Sequence, residues 1–229
     1  MKPGDVISYL EMCQKEGVNL QRGMNFHLRV GYSVILMSVR IGAPYADRTE
    51  EGGKVLIYEG HDIPKSGDNL NPKSSDQPMT TPLGHLTQNG LFYRAAEKFK
   101  LNKERPEKVK VYEKIRAGIW VYNGIFRLVD SWQETNNMRK VFKFKLELID
   151  EINFEESQDS DVSQTRMIPS QVKMEVWKRD KGRCRECGSK DNLHFDHIIP
   201  YSLGGSSLVP ENIQLLCARH NLAKKDKIQ

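Results

Sequence analysis

Cys184-Arg-Glu-Cys187, Leu193-His-Phe-Asp-His-Ile-Ile-Pro200, Glu211-Asn212 and Cys217-Ala-Arg-His220-Asn221 follow one another in the C-terminal part of the sequence. Two pairs of soft ligands thus bracket an Asp-His pair and two spaced asparagines. Cys184 and Cys187 suit one tight knuckle, Cys217 and His220 a second, and together they offer the tetrahedral sulfur and nitrogen set that Zn²⁺ prefers. We read a closed structural zinc site. The alternative is a disulfide or four unrelated residues, but four cysteines in 229 residues without a secretory signal give oxidation little to favour it. Cys13 stands far off in sequence and reads as a small, partly buried thiol.

Between the pairs, the alternation through Leu193–Ile198 predicts a strand, with Asp196 and His197 on opposite faces or at a strand end. Pro200–Gly205 reads as an irregular loop between strands. A helix is expected to open near Pro210-Glu211-Asn212 or after the second knuckle, carrying Asn221–Lys225. Phosphodiester hydrolysis needs these residue types together. A hard divalent cation, Mg²⁺ or Mn²⁺, takes oxygen ligands such as the Asp196 carboxylate and the Asn221 amide. The attacking water needs a base titrating near neutrality, which suits His197.

These motifs resemble the HNH endonucleases of the ββα-metal class. The resemblance implies that His197 activates water and that Asp196 and Asn221 hold one catalytic metal. It also implies that Asn212 ties down the loop carrying the base, and that His194 stands where some members touch the phosphate. The competing reading is a zinc-ribbon binding module that happens to carry Asp-His. Upstream, Ser170 is expected as the N-cap of a short helix packing Val172, Val176 and Trp177, a lead-in common in bacterial HNH domains.

The HNH resemblance is complete within residues 166–229, so residues 1–153 must be something else. Residues 154–165 are acidic, lack apolar periodicity and read as a linker. Net charge is +4 over 1–153, −4 over 154–165 and +5 over 166–229. Two basic domains joined by an acidic segment suit a nucleic-acid partner, and no apolar run reaches membrane-spanning length.

Within 1–153, β-branched and aromatic runs predict strands at 32–40, 54–58, 108–112, 118–122, 125–129 and 141–148. Asn123-Gly124 predicts a two-residue hairpin turn between two of them. A helix is expected over Gly90–Lys100 with Leu91, Ala95 and Phe99 on one face. His27 and His85 read as solvated or locally hydrogen-bonded, and Lys98–Lys110 as a solvated connector.

Gly42-Ala-Pro-Tyr45-Ala-Asp47, Tyr58-Glu-Gly60-His61-Asp62, Asp76-Gln77-Pro, Gln88-Asn89-Gly90 and Trp120-Val-Tyr122-Asn-Gly124 resemble, in that order, the motifs of SRA (YDG) domains, which read modified cytosine by flipping it from the duplex. The resemblance implies an α+β chain: a mainly β SRA/PUA-like barrel domain followed by a small zinc-containing HNH domain. A flipped cytosine needs aromatic faces, a carboxylate for its exocyclic amine and close backbone approach. Tyr45 and Tyr58 match the family's pocket tyrosines and Asp47 its acid, while Gly42 and Gly60 permit close approach. The competing reading makes Tyr45 and Tyr58 half-buried strand residues and Asp47 a turn former. Two departures stand out: Ala46-Asp47-Arg48 has one acid where members often have two, and His61 replaces a small hydroxyl residue.

The combination implies a modification-dependent, type IV-like restriction endonuclease that binds duplex DNA carrying 5-methylcytosine or 5-hydroxymethylcytosine and cuts nearby. One HNH site cuts one strand, so double-strand cleavage predicts a homodimer. A bacterial, cytoplasmic setting follows from the family. The alternatives are a non-catalytic reader and a nuclease indifferent to modification.

Overall fold

The computed structural model describes residues 1–64, 71–136, 139–149 and 167–224. The expected linker at 154–165, Arg166 and Lys225 lie outside these. Eight strands form one sheet: β1 (Val6–Ser8), β2 (Met24–Arg29), β3 (Tyr32–Met37), β4 (Arg48–Glu50), β5 (Val55–Glu59), β6 (Lys108–Arg116), β7 (Ile119–Asn136) and β8 (Arg139–Leu148). Their order is β2-β3-β6-β7-β8-β5-β4, with β1 paired to β7. Among the described residues of this sheet, only β3 and β6 run parallel; the other pairs are antiparallel.

Period-two alternation sends successive side chains to opposite faces. Ile35 and Val111 join one core with Leu56, Phe142 and Phe144, while Val34 and Tyr112 join another with Ile7, Met12 and Trp120. Helix α1 (Tyr9–Glu16) supplies Met12 to the second core; its N-cap Ser8 and Glu11 form a reciprocal capping box. Helix α2 (Gln88–Lys100) covers the first. Its fully buried apolar residues are Phe92 and Ala96, one position on from the expected Leu91, Ala95 and Phe99, which are half-buried. The Thr87 N-cap and the wall formed by Met79 set that rotation: a Cβ on Gly90 would lie 2.3 Å from the Met79 carbonyl oxygen.

The expected Asn123-Gly124 hairpin is absent. β7 runs unbroken through both residues, and the β6–β7 turn falls at Ala117-Gly118, since Arg116 pairs with Ile119. Val111 faces Gly124 and Tyr112 faces Tyr122, leaving Asn123 as the extra residue of a bulge. Gly124 has φ +105°, so the Asn-Gly pair serves a bulge with the backbone freedom it would have lent a turn.

The C-terminal unit comprises α3 (Ser170–Arg179), β9 (Leu193–His197), β10 (Ile213–Cys217) and α4 (Ala218–Lys224), with β9 and β10 antiparallel. The N-cap of α3 is Pro169 rather than Ser170: the Pro169 carbonyl accepts from Lys173 N, so the helix opens one residue early and Ser170 is buried in it. Val172 and Val176 are buried as expected, with Trp177 packed beside them. Pro210–Asn212 forms only a 3-10 turn, and the helix starts at Ala218, inside the second knuckle.

The two units share a core. Ile115 of β6 and Val121 of β7 pack with Val172, Val176, Leu193, Phe195 and Leu215. Residues Gly4 and Asp5 lie between the sheets: Gly4 N donates to Tyr122 O and Tyr122 N to Asp5 O, while Gly4 O accepts from Phe195 N.

Candidate functional site

The two knuckles bring Cys184, Cys187, Cys217 and His220 together, with their ligand atoms all within 4.8 Å of one another. Cys184 Sγ lies 3.3 Å and Cys217 Sγ 3.4 Å from His220 Nδ1, and Cys187 Sγ lies 3.9 Å from Cys217 Sγ. Tetrahedral zinc with bonds of about 2.3 Å places sulfurs about 3.8 Å apart, so the set fits a metal such as zinc. The first knuckle is closed by Gly188 N donating to Cys184 O and Cys184 N to Ser189 O. Burial raises the Cys184 thiol, but backbone N–H groups of Cys217 and Cys187 and the His220 ring outweigh it, and the thiol sits at about 6.

Asp196 and His197 end β9 on opposite faces, Asp196 half-buried and His197 8% exposed. His197 Nε2 lies 2.7 Å from the buried Ser207 hydroxyl. Asn212 bonds the intervening loop at three points: its Oδ1 accepts from Ile199 N at 2.8 Å, and its Nδ2 donates to Ile199 O and Ser206 O. A Cβ at Gly205 would lie 1.8 Å from the Ile199 carbonyl oxygen, so the loop closes only over glycine. Asn221 is half-buried in α4, and Lys224, three residues on, shares its helix face. The Lys224 side chain is 1% exposed; its ammonium lies 2.8 Å from Asp196 Oδ2 and donates to His197 O. His194 does not stand free: its Nδ1 meets Asp5 Oδ1 at 2.7 Å.

Ser207, Lys224 and Asp5 escaped the sequence reading. Lys224-Lys225 reads as a charged helix end, and Asp5 lies 189 positions from its partner. Oxygen donors suited to a hard cation are present in Asp196 and Asn221, and Asp196 Oδ2 faces the Lys224 ammonium at 2.8 Å.

In the eight-stranded sheet, Tyr45, Asp47, Tyr58 and His61 line one cavity of about 700 Å³, with Arg22 and Trp120. Gly42 lines an adjoining cavity of about 600 Å³ that shares Tyr45 and Asp47. Gly60 lines neither; a Cβ there would lie 2.6 Å from Asn89 Oδ1 and 2.7 Å from Gln77 Oε1, so its role is packing. Those neighbours brace the rim. Gln77 Nε2 donates to Gly60 O and its Oε1 accepts from Phe142 N, while Asn89 takes His61 N and gives to His61 O. The Asp76-Gln77-Pro and Gln88-Asn89-Gly90 motifs therefore hold the segment that carries His61.

The His61 ring stacks on Tyr45 at 5.7 Å between centroids, and its Nε2 lies 3.1 Å from the Tyr58 hydroxyl. Burial lowers His61 to about 4, so the ring is neutral at physiological pH. Asp47 accepts from Ser38 N and Glu59 N, each at 3.0 Å. Burial pushes its carboxyl up to about 7 against those two bonds, with the Glu59 charge adding to the rise. Glu59, buried, pairs with Lys143 at 2.9 Å and accepts from Ala46 N, anchoring the loop between Tyr45 and Asp47.

The family model for the SAD/SRA domain matches residues 1–151. This chain belongs to the SAD/SRA family. The HNH endonuclease model matches residues 184–227, so the SAD/SRA domain is joined to an HNH domain in one chain. Among solved structures, the SRA domain of SUVH5 in complex with methylated CHH DNA is similar at 23% identity over 65% of this chain and 89% of that one, with a TM-score of 0.46. The same domain bound to fully hydroxymethylated CG DNA is 25% identical over 65% and 89%, TM-score 0.44. Arabidopsis thaliana SUVH6 in complex with SAM is 19% identical over 87% of this chain and 32% of that one, TM-score 0.44. No curated protein matches. The mainly β reading of the N-terminal part holds, and among the described residues no helix is long and apolar enough to cross a membrane.

Proposed function

We propose that this protein is a modification-dependent DNA endonuclease, in which residues 1–153 bind duplex DNA containing 5-methylcytosine or 5-hydroxymethylcytosine and residues 166–229 cut it nearby. The observation that carries the reading is the Asp196-His197 pair at the mouth of a loop stapled by Asn212, in a chain that also bears a tyrosine-lined cavity with a buried acid. A plain zinc module has no need of such a loop.

In the reader, the flipped base stacks on Tyr45 and gives its exocyclic N–H to Asp47, while Tyr58 and His61 close the cavity. Stacking on an aromatic ring returns about 1–3 kcal/mol of the few kcal/mol that unstacking costs. In the nuclease, His197 takes the proton of the attacking water, held in place through Ser207 at Nε2 and the stapled loop. Asp196 and Asn221 would supply oxygen ligands to a Mg²⁺ or Mn²⁺ ion, which would stabilise charge on the phosphate and the leaving oxygen. The three cysteines and His220 hold a structural zinc that fixes α4 against the hairpin. Cutting both strands requires two chains, hence a homodimer on DNA, in a bacterial cytoplasm.

The deciding experiment is cleavage of matched plasmids carrying cytosine, 5-methylcytosine or 5-hydroxymethylcytosine, with Mg²⁺ or Mn²⁺ and an EDTA control. Cutting confined to a modified plasmid is the expected result. Equal cutting of all three would sink modification dependence, and selective binding without cutting would make the protein a reader.

A further inference from the structure

Strands β6 and β7 serve both units, one with each face. Glu113 pairs with Val121 and Lys114 with Trp120 in the antiparallel register, and strand alternation sends these two pairs to opposite faces. Lys114 and Trp120 line the cavity that also holds Tyr45 and Asp47. Their chain neighbours Glu113, Ile115 and Val121 turn the other way and are buried against the C-terminal unit. One step of strand therefore separates a residue of the base-reading cavity from a residue of the nuclease contact.

On the nuclease side, α3 makes that contact. Its Val172 and Val176 join the same core as Phe195, the chain neighbour of Asp196. Lys173, next to Val172, makes a different kind of bond: Nζ reaches Glu113 Oε2 at 2.9 Å and Asn123 Oδ1 at 2.7 Å. Lys173 is 2% exposed, Glu113 0% and Asn123 1%, so α3, β6 and the β7 bulge meet at a charge pair closed to water. The two kinds of contact restrain the joint differently. Apolar burial is non-directional and changes little when surfaces slide slightly. A charge pair out of water tolerates no such shift, because an offset leaves a buried charge without its partner, and a single polar contact within an apolar interface is what fixes register in coiled coils.

We propose that Lys173 is a positioning residue: its contacts with Glu113 and Asn123 hold the nuclease in one register on the reader, so that cuts fall at a set offset from the modified cytosine whatever the length of the acidic segment at 154–165. This rests on the nuclease reading and adds to it what fixes the place of the cut.

The test maps strand ends on duplexes that carry a single 5-methylcytosine or 5-hydroxymethylcytosine, with Mg²⁺ or Mn²⁺. The wild type is expected to give one dominant end per cut strand, and a Gly-Ser insertion within 154–165 should leave that end where it is. Lys173→Met with Glu113→Gln removes both charges and keeps the valine contacts, so it should still bind and cut, but with the dominant end lost to a spread of neighbouring ones. Scattered ends in the wild type, an end that moves with the insertion, or a double variant that cuts at the wild-type position would each overturn the proposal. A second measurement needs no cutting. With a protease site placed in 154–165, the nicked wild type should stay together on gel filtration, and Lys173→Met should weaken the association of its two pieces by at least about 100-fold, the effect of stranding the Glu113 charge. Separation of the nicked wild type, or equal association in the variant, would sink the proposal, whereas a wild type that binds modified DNA without cutting counts against the nuclease reading alone.

Discussion

Lys173 Nζ of α3 lies 2.9 Å from Glu113 Oε2 of β6, and both side chains are shut away from water. Asn123, the extra residue of the β7 bulge, completes the cluster: its Nδ2 donates to Glu113 and its Oδ1 accepts from Lys173 at 2.7 Å. An ion pair this deep is no cheap source of stability, since desolvation offsets most of the attraction. Its weight appears when one partner is lost. Lys173→Met should destabilise the protein by about 3–5 kcal/mol by stranding the Glu113 charge. Adding Glu113→Gln should recover much of that, and thermal melts of the single and double variants measure both effects.

The same cluster predicts acid sensitivity. Burial raises the Glu113 carboxyl, but Lys173 and the hydrogen bonds around it more than compensate, leaving it below its ordinary value of 4.5. A carboxyl depressed in the folded state adds stability above its unfolded pKa and loses it as pH falls through the folded one. Stability should therefore drop below about pH 4.5, and the drop should be smaller in Glu113→Gln; urea midpoints taken between pH 3 and 7 test this.

Metal removal should cost the C-terminal unit its packing, because Cys184 and Cys217 belong to the core that Val172, Leu193 and Leu215 build. Native mass spectrometry is expected to find one zinc per chain. A strong chelator, or Cys217→Ser, should lower the melting temperature and abolish cleavage before it affects binding to modified DNA.

At the nuclease end, His197→Ala should abolish cutting and leave DNA affinity intact. Lys224→Met should reduce cutting by about 10- to 100-fold, because the buried ammonium holds the Asp196 carboxylate and the His197 carbonyl in register. Single-turnover rates beside equilibrium binding separate these losses from simple failure to bind.

In the reader, Asp47 titrates at about 7, within reach of an ordinary buffer series. Only the ionised form accepts the cytosine amine with its full charge, so affinity for modified DNA should rise between pH 6 and pH 8. Asp47→Asn should flatten that rise. Tyr45→Ala should weaken binding by about 1–3 kcal/mol through lost stacking, which fluorescence anisotropy would register.

The HNH half was legible because each of its parts is local: two knuckles of three-residue spacing bring Cys184, Cys187, Cys217 and His220 together, and Asp196 and His197 stand at a strand end. The reader's strands were legible for the same reason, through Val, Ile and aromatic runs. What sequence hid is what depends on distant contacts. Asn123-Gly124 has the chemistry of a turn, and only the register against Val111 and Tyr112 makes it a bulge. Gly60 looked like a site of close ligand approach, whereas Asn89 and Gln77 fill that space. Asp5 and Lys224 carry no motif, and their meaning lies wholly in the partners the fold brings to them.

Residues 4–8 clasp β7 and, through Gly4 and Asp5, the edge of β9. The joint between reader and nuclease is therefore a seam stitched from both ends of the sequence rather than a single hinge point. Anyone building a chimaera, with a foreign reader grafted ahead of this nuclease, would find that cutting at the acidic segment strands Phe195 N–H and exposes the apolar underside of the hairpin. A transplant that keeps its activity must carry Gly4–Ser8 together with β7, as one piece with the strand it supports.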